Sequence, residues 1–70
     1  MKGGDDVQIN KMKLNLAMAR ACMNPEDLQS KTKISMPTIY NAISGKSVRP
    51  ATLGRIAKAL EVDVTEILED

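Results

Sequence analysis

An all-α domain of five helices is what these 70 residues predict, and three observations carry that expectation. Phe and Trp are absent and Tyr40 is the only aromatic, so the core must come from Leu, Ile, Val, Met and Ala. Such a core suits packed helices better than the aromatic and β-branched faces of a sandwich or barrel. Apolar residues recur at helical spacing behind capping signals along most of the chain. The stretch from Pro25 to Ser44 reads PEDLQSKTKISMPTIYNAIS: a polar-started helix, a tight connection holding Ile34, and a helix with Ile39, Ala42 and Ile43 on one face. The length makes one domain, long enough to bury about 60% of its unfolded surface.

Residues 1–9, with Gly3-Gly4 and Asp5-Asp6, read as a flexible N-terminal arm ahead of a domain over 10–70. Asn10 is a good N-cap, and Ile9 before it can staple onto Leu14. The first helix then runs from about Lys11 to Cys22, with Leu14, Ala17, Met18 and Ala21 inward and Leu16 outward. Asn24-Pro25 starts the second: a capping side chain, then proline where a missing N–H costs nothing. Glu26 and Asp27 complement the dipole of its first turn, and it stops near Thr32.

Ser35 is the natural cap of the third helix. Pro37 biases Met36 away from the α region and puts the helical start at Pro37. Gly45 ends this helix. After the basic loop Lys46-Ser47-Val48-Arg49, Pro50 opens the fourth, where Leu53, Ile56, Ala57 and Leu60 repeat at helical spacing. Asp63-Val64-Thr65-Glu66 has the form of a capping box, placing a fifth helix over Val64, Ile67 and Leu68.

Two short helices joined as in Pro25–Ser44 form the layout of a helix-turn-helix, whose second helix enters the DNA major groove. Charge distribution agrees better than net charge, which is only +1. Between Leu28 and Leu60 stand Lys31, Lys33, Lys46, Arg49, Arg55 and Lys58 with no acid. From 61 to 70 stand Glu61, Asp63, Glu66, Glu69 and Asp70 with no base. A segregated basic stretch is the footprint of a phosphate-binding face.

Other chemistries lack residues. His is absent and Cys22 is the single cysteine, so a zinc site or a Cys–His nucleophile has no ligands or base. No Gly-rich phosphate loop occurs, and no cofactor is expected. A lone cysteine excludes an internal disulfide and fits a reducing cytosol. No apolar run is long enough to span a bilayer. The expectation is a non-enzymatic, cytoplasmic, nucleoid-associated protein without a membrane partner.

The segment from about Asn10 to Leu68 resembles the Cro/repressor (XRE-type) helix-turn-helix family, which includes the Cro and repressor DNA-binding domains of lambdoid phages. The matching pieces are Leu28, Ile34-Ser35, Thr38-Ile39, Ala42, the loop from Gly45 to Pro50, Thr52-Leu53, Ile56–Leu60 and Val62–Leu68. The resemblance implies the five-helix lambda-repressor-like fold. Two positions depart from the family pattern. Gln29 stands where the family has Ala, and Lys33 stands where a turn Gly takes a left-handed conformation, at a cost of about 1 kcal/mol.

Position assigns the expected roles. Asn24, with the free N–H groups opening the second helix, can meet a phosphate. Lys46, Ser47 and Arg49 can grip the backbone without selecting sequence. Selection falls to Ser35, Met36, Thr38, Tyr40 and Asn41, with the Asn41 amide suited to the N6/N7 edge of adenine. The expected partner is double-stranded DNA with a pseudo-palindromic operator, bound by a weak homodimer completed on DNA. In the Cro-like arrangement its subunits meet near Leu60 to Val64. The expected function is a transcriptional regulator of repressor type. The rival reading is a protein-interaction module, antitoxin or adaptor, using the same fold without direct DNA readout. Salt discriminates them, since phosphate contacts weaken steeply as salt rises.

Overall fold

Six side chains closed to solvent, one from nearly every segment, meet in a single core: Ile9, Leu14, Leu28, Ile39, Ile56 and Ile67, each at most 1% exposed. The computed structural model describes residues 6–69. Their order is strand β1 (Val7–Gln8), helices α1 (Lys11–Arg20), α2 (Pro25–Thr32) and α3 (Met36–Ile43), strand β2 (Ser47–Val48), helix α4 (Pro50–Leu60) and a 3₁₀ turn (Val64–Glu66). The helix-turn-helix stands, but the described residues hold four α-helices and a two-stranded sheet, not five helices.

The fifth helix is replaced for a local reason. Asp63 does close its capping box, accepting from the Thr65 N–H while Glu66 bonds back to the Asp63 N–H. Bonds from the Thr65 hydroxyl, then from its backbone N–H, hold the Asp63 carboxyl below its usual range. What that adds to stability is present at neutral pH and fades as pH falls through the lowered value. After one turn, however, Ile67 is drawn fully into the core and Leu68 forms an antiparallel bridge with Ile9. The helical path ends there.

Of the arm expected over 1–9, residues 1–5 lie outside the described residues, while Val7, Gln8 and Ile9 are held. Val7 and Gln8 pair antiparallel with Val48 and Ser47. On the other side the Gln8 carbonyl accepts from the Glu69 N–H at 2.9 Å, and the Asn10 N–H donates to Ile67 at 2.9 Å. The polar-apolar alternation Val7-Gln8-Ile9 lets one short extended segment bury Ile9 while its backbone bonds on both edges.

Helix ends follow their capping chemistry. Asn10 accepts from the Lys13 N–H at 2.9 Å, and Ile9 and Leu14 share the core, as a staple requires. Helix α1 stops at Arg20, two residues before the expected end, because Cys22 turns left-handed at φ 56°. Met23 N–H then bonds back to Met18 at 3.0 Å, closing a Schellman motif. Helix α3 begins at Met36, with Pro37 in its first turn, where the missing N–H has no intrahelical acceptor to lose.

The connection from α2 to α3 fixes how the second helix of the motif is presented. Lys33 adopts φ 62°, ψ 19°, the left-handed conformation expected at that position. Buried Thr32 secures the turn: its hydroxyl donates to the Leu28 carbonyl at 2.7 Å and accepts from the Ile34 N–H at 3.2 Å. Gln29, in the position where the family carries Ala, is accommodated half-buried. Because Lys33 is exposed and strained, Lys33→Gly should stabilise the domain by roughly 0.5–1 kcal/mol. The midpoint of urea unfolding reads this directly. A midpoint that stays put or drops would mean that the lysine side chain offsets its own strain.

Candidate nucleic-acid interface

Helix α3 owes its orientation to Ile39 and Ala42, both fully buried, which clamp one face against the core. Thr38 and Asn41 consequently stand on the outer side. They line one open groove with Ser47, Val48 and Arg49 of the following loop, Thr52 of α4 and Asp6 before β1. Four residues expected from sequence, Thr38, Asn41, Ser47 and Arg49, are thus brought together. The side chains expected to read bases and those expected to meet phosphates line one concave surface.

The loop that carries the cations is built by Gly45. Its φ of 86° closes a Schellman motif, with Gly45 N–H on Ala42 at 3.0 Å and Lys46 N–H on Asn41 at 3.0 Å. A Cβ there would also sit tightly, 3.1 Å from Lys11 Cβ, on a backbone whose conformation already favours glycine. Gln8 then straps the loop: its Nε2 donates to the Gly45 carbonyl, and its Oε1 accepts from the Ser47 hydroxyl at 3.0 Å. Ser47 therefore already uses its hydroxyl proton within the fold. Among the described residues, no ion pair engages Lys46 or Arg49, and both are exposed.

The remaining expected residues lie outside the groove. Ser35 is exposed but does not cap α3 with its side chain; its hydroxyl donates instead to that of Thr38 at 3.0 Å, tethering the leading edge of the helix. Met36 is half-buried, and Tyr40 is 48% exposed on α3. Asn24 works as a cap: its side chain accepts from the Asp27 N–H at 2.8 Å, while its own N–H donates to Asp27 at 3.1 Å. Pro25 has no N–H, so at the opening of α2 the Glu26 N–H and the Asn24 side-chain amide N–H groups are what is left to offer an anion.

Three participants were not legible as site residues. Asp6 and Gln8 reach the groove or its loop only through the β1–β2 pairing, and Thr52 follows Arg49 by three residues in the first turn of α4. The alternation around Val7-Gln8-Ile9 was the one available signal for the first two.

The sequence profile of the Cro/C1-type HTH DNA-binding domain matches residues 13–70. The chain belongs to that family. No curated protein matches the chain. A crystal structure of the transcriptional regulator VanUg (Form II) is similar in fold, with a TM-score of 0.76 at 19% identity, covering 99% of this chain and 92% of that one. At that identity the likeness concerns the fold alone. Among the described residues of this Cro/C1-type domain, no helix is long and apolar enough to cross a membrane.

Proposed function

We propose that this Cro/C1-type domain is a sequence-specific transcriptional regulator of repressor type, with α3 reading the major groove of double-stranded DNA. The observation that carries the reading is the single groove shared by Thr38, Asn41 and Arg49. It sets an amide and a hydroxyl able to address base edges beside a guanidinium with no ion-pair partner among the described residues. Asn41 pairs with adenine; Thr38, Ser35 and Tyr40 supply hydroxyls, and Met36 supplies apolar contact to a thymine methyl. Lys46, Arg49 and the Ser47 loop hold phosphates, and the start of α2 at Asn24 offers a further contact. The similar fold of a transcriptional regulator supports the same reading.

One domain of this size reads few base pairs, so two copies on adjacent half-sites are required for useful specificity. The homodimer is weak when free and completed on DNA, in a cytoplasmic, nucleoid-associated setting. Selection of bound sequences from random duplexes is the deciding experiment. It should recover pseudo-palindromes with half-sites about one helical turn apart. Failure to enrich any sequence, with binding insensitive to salt, would turn the reading to a protein-interaction module.

Arg49→Ala should weaken binding to selected and random duplexes by the same factor and flatten the salt dependence by about one unit. Titrations at several salt concentrations measure both quantities. A changed base preference with an unchanged salt slope would remove Arg49 from the phosphate-gripping role.

A further inference from the structure

The groove that gathers Asn41 and Arg49 also contains a carboxylate, which is out of place on a surface meant for phosphates. Asp6 is exposed and lines it directly. Its position follows from the sheet: Val7 pairs with Val48 and Gln8 with Ser47, and Asp6 and Arg49 are the residues next beyond the end of that ladder, both lining the groove. Arg49 and Asp6 form no ion pair within 4 Å, so the guanidinium stays available while the negative charge stands beside it.

We propose that Asp6 is an affinity-setting residue, an electrostatic brake on the phosphate grip of Arg49. The inference rests on the DNA-binding reading above and adds a residue of opposite sign to it. A phosphate arriving at Arg49 meets attraction from the guanidinium and repulsion from the neighbouring carboxylate. Both act at short range, and both are screened as salt rises. Since phosphate contacts carry no sequence information, the brake lowers affinity for all duplexes alike and leaves base preference to α3. The pairing of β1 with β2 makes this possible, because it carries an N-terminal acid to the DNA-facing side.

The test is Asp6→Asn, which keeps size and removes charge, made in the intact chain and in an Arg49→Ala background. The probes are a random-sequence duplex and the duplex recovered by selection, titrated across a range of salt. At low ionic strength Asp6→Asn should tighten both by about 3- to 10-fold, the effect of one charge at close range near a protein surface. The gain should shrink as salt rises, and the ratio between the two duplexes should stay constant. With Arg49→Ala the gain should fall to less than half, since coupled neighbours are non-additive. An unchanged melting temperature confirms that folding is not the cause. Unchanged or weaker binding to random DNA overturns the brake; loss confined to the selected duplex instead makes Asp6 a base reader. If the unsubstituted chain shows no salt-sensitive duplex binding, the DNA-binding reading fails and the brake with it.

Discussion

Ile39→Ala should cost about 2–5 kcal/mol of folding stability, as expected for truncating a fully buried isoleucine. Ile39 is 0% exposed on α3, and α3 packs against α1, α2 and β2. A single domain of this length has a total stability of roughly 4–10 kcal/mol, so the loss is a large fraction of what exists. The thermal midpoint should fall by about 10 °C or more, since each kcal/mol is worth roughly 4–8 °C in so small a domain. Melting followed by helical circular dichroism measures this. A drop worth less than about 1 kcal/mol would mean that the core collapses around the missing methyls more completely than such sites usually do. The functional consequence is specific, because Ile39 and Ala42 are the buried side chains that aim Thr38 and Asn41 outward.

Asn41→Ala should leave the fold intact and remove about 1–3 kcal/mol of binding on the selected duplex, with little change on random DNA. Asn41 is exposed, so its truncation opens no cavity. Its backbone carbonyl keeps the bond from Lys46 that closes the end of α3. The amide itself is a bidentate group facing a groove, and bidentate pairing with adenine is the contact a wrong base cannot reproduce. Competition binding with selected and scrambled duplexes separates the outcomes. Equal losses on both would assign Asn41 to a supporting contact rather than base reading.

These two residues illustrate what local chemistry declares. Periodicity places Ile39 and Ala42 inward and leaves Thr38 and Asn41 outward before any tertiary contact is known. Helices α2 and α4 begin where Pro25 and Pro50 put them, because proline at the first helical position is a local signal, joined at α2 by the capping side chain of Asn24. The left-handed conformation of Lys33 is the one that the family resemblance implied for that turn position.

By itself, then, the amino-acid order determined the helix-turn-helix and the inward and outward faces of its second helix, which arise from interactions within a few residues. The stretch read as a basic loop beyond Gly45 instead holds strand β2, because Val7 and Gln8 pair with it from a distance. Tertiary structure decided the segments over 7–9 and 64–68 and the composition of the groove. Val7-Gln8 became a strand because Ser47-Val48 and Glu69 offered backbone partners from distant positions, and two-residue strands carry almost no signal of their own. The last segment turned into a single 3₁₀ turn because burying Ile67 and bridging Leu68 to Ile9 outweighed continuing a helix whose cap was already in place. Asp6 entered the groove by the same β1–β2 pairing, whereas Thr52 stands only three residues after Arg49 in the first turn of α4. Register is a long-range property, and only the folded chain brings Asp6 to the groove of Arg49.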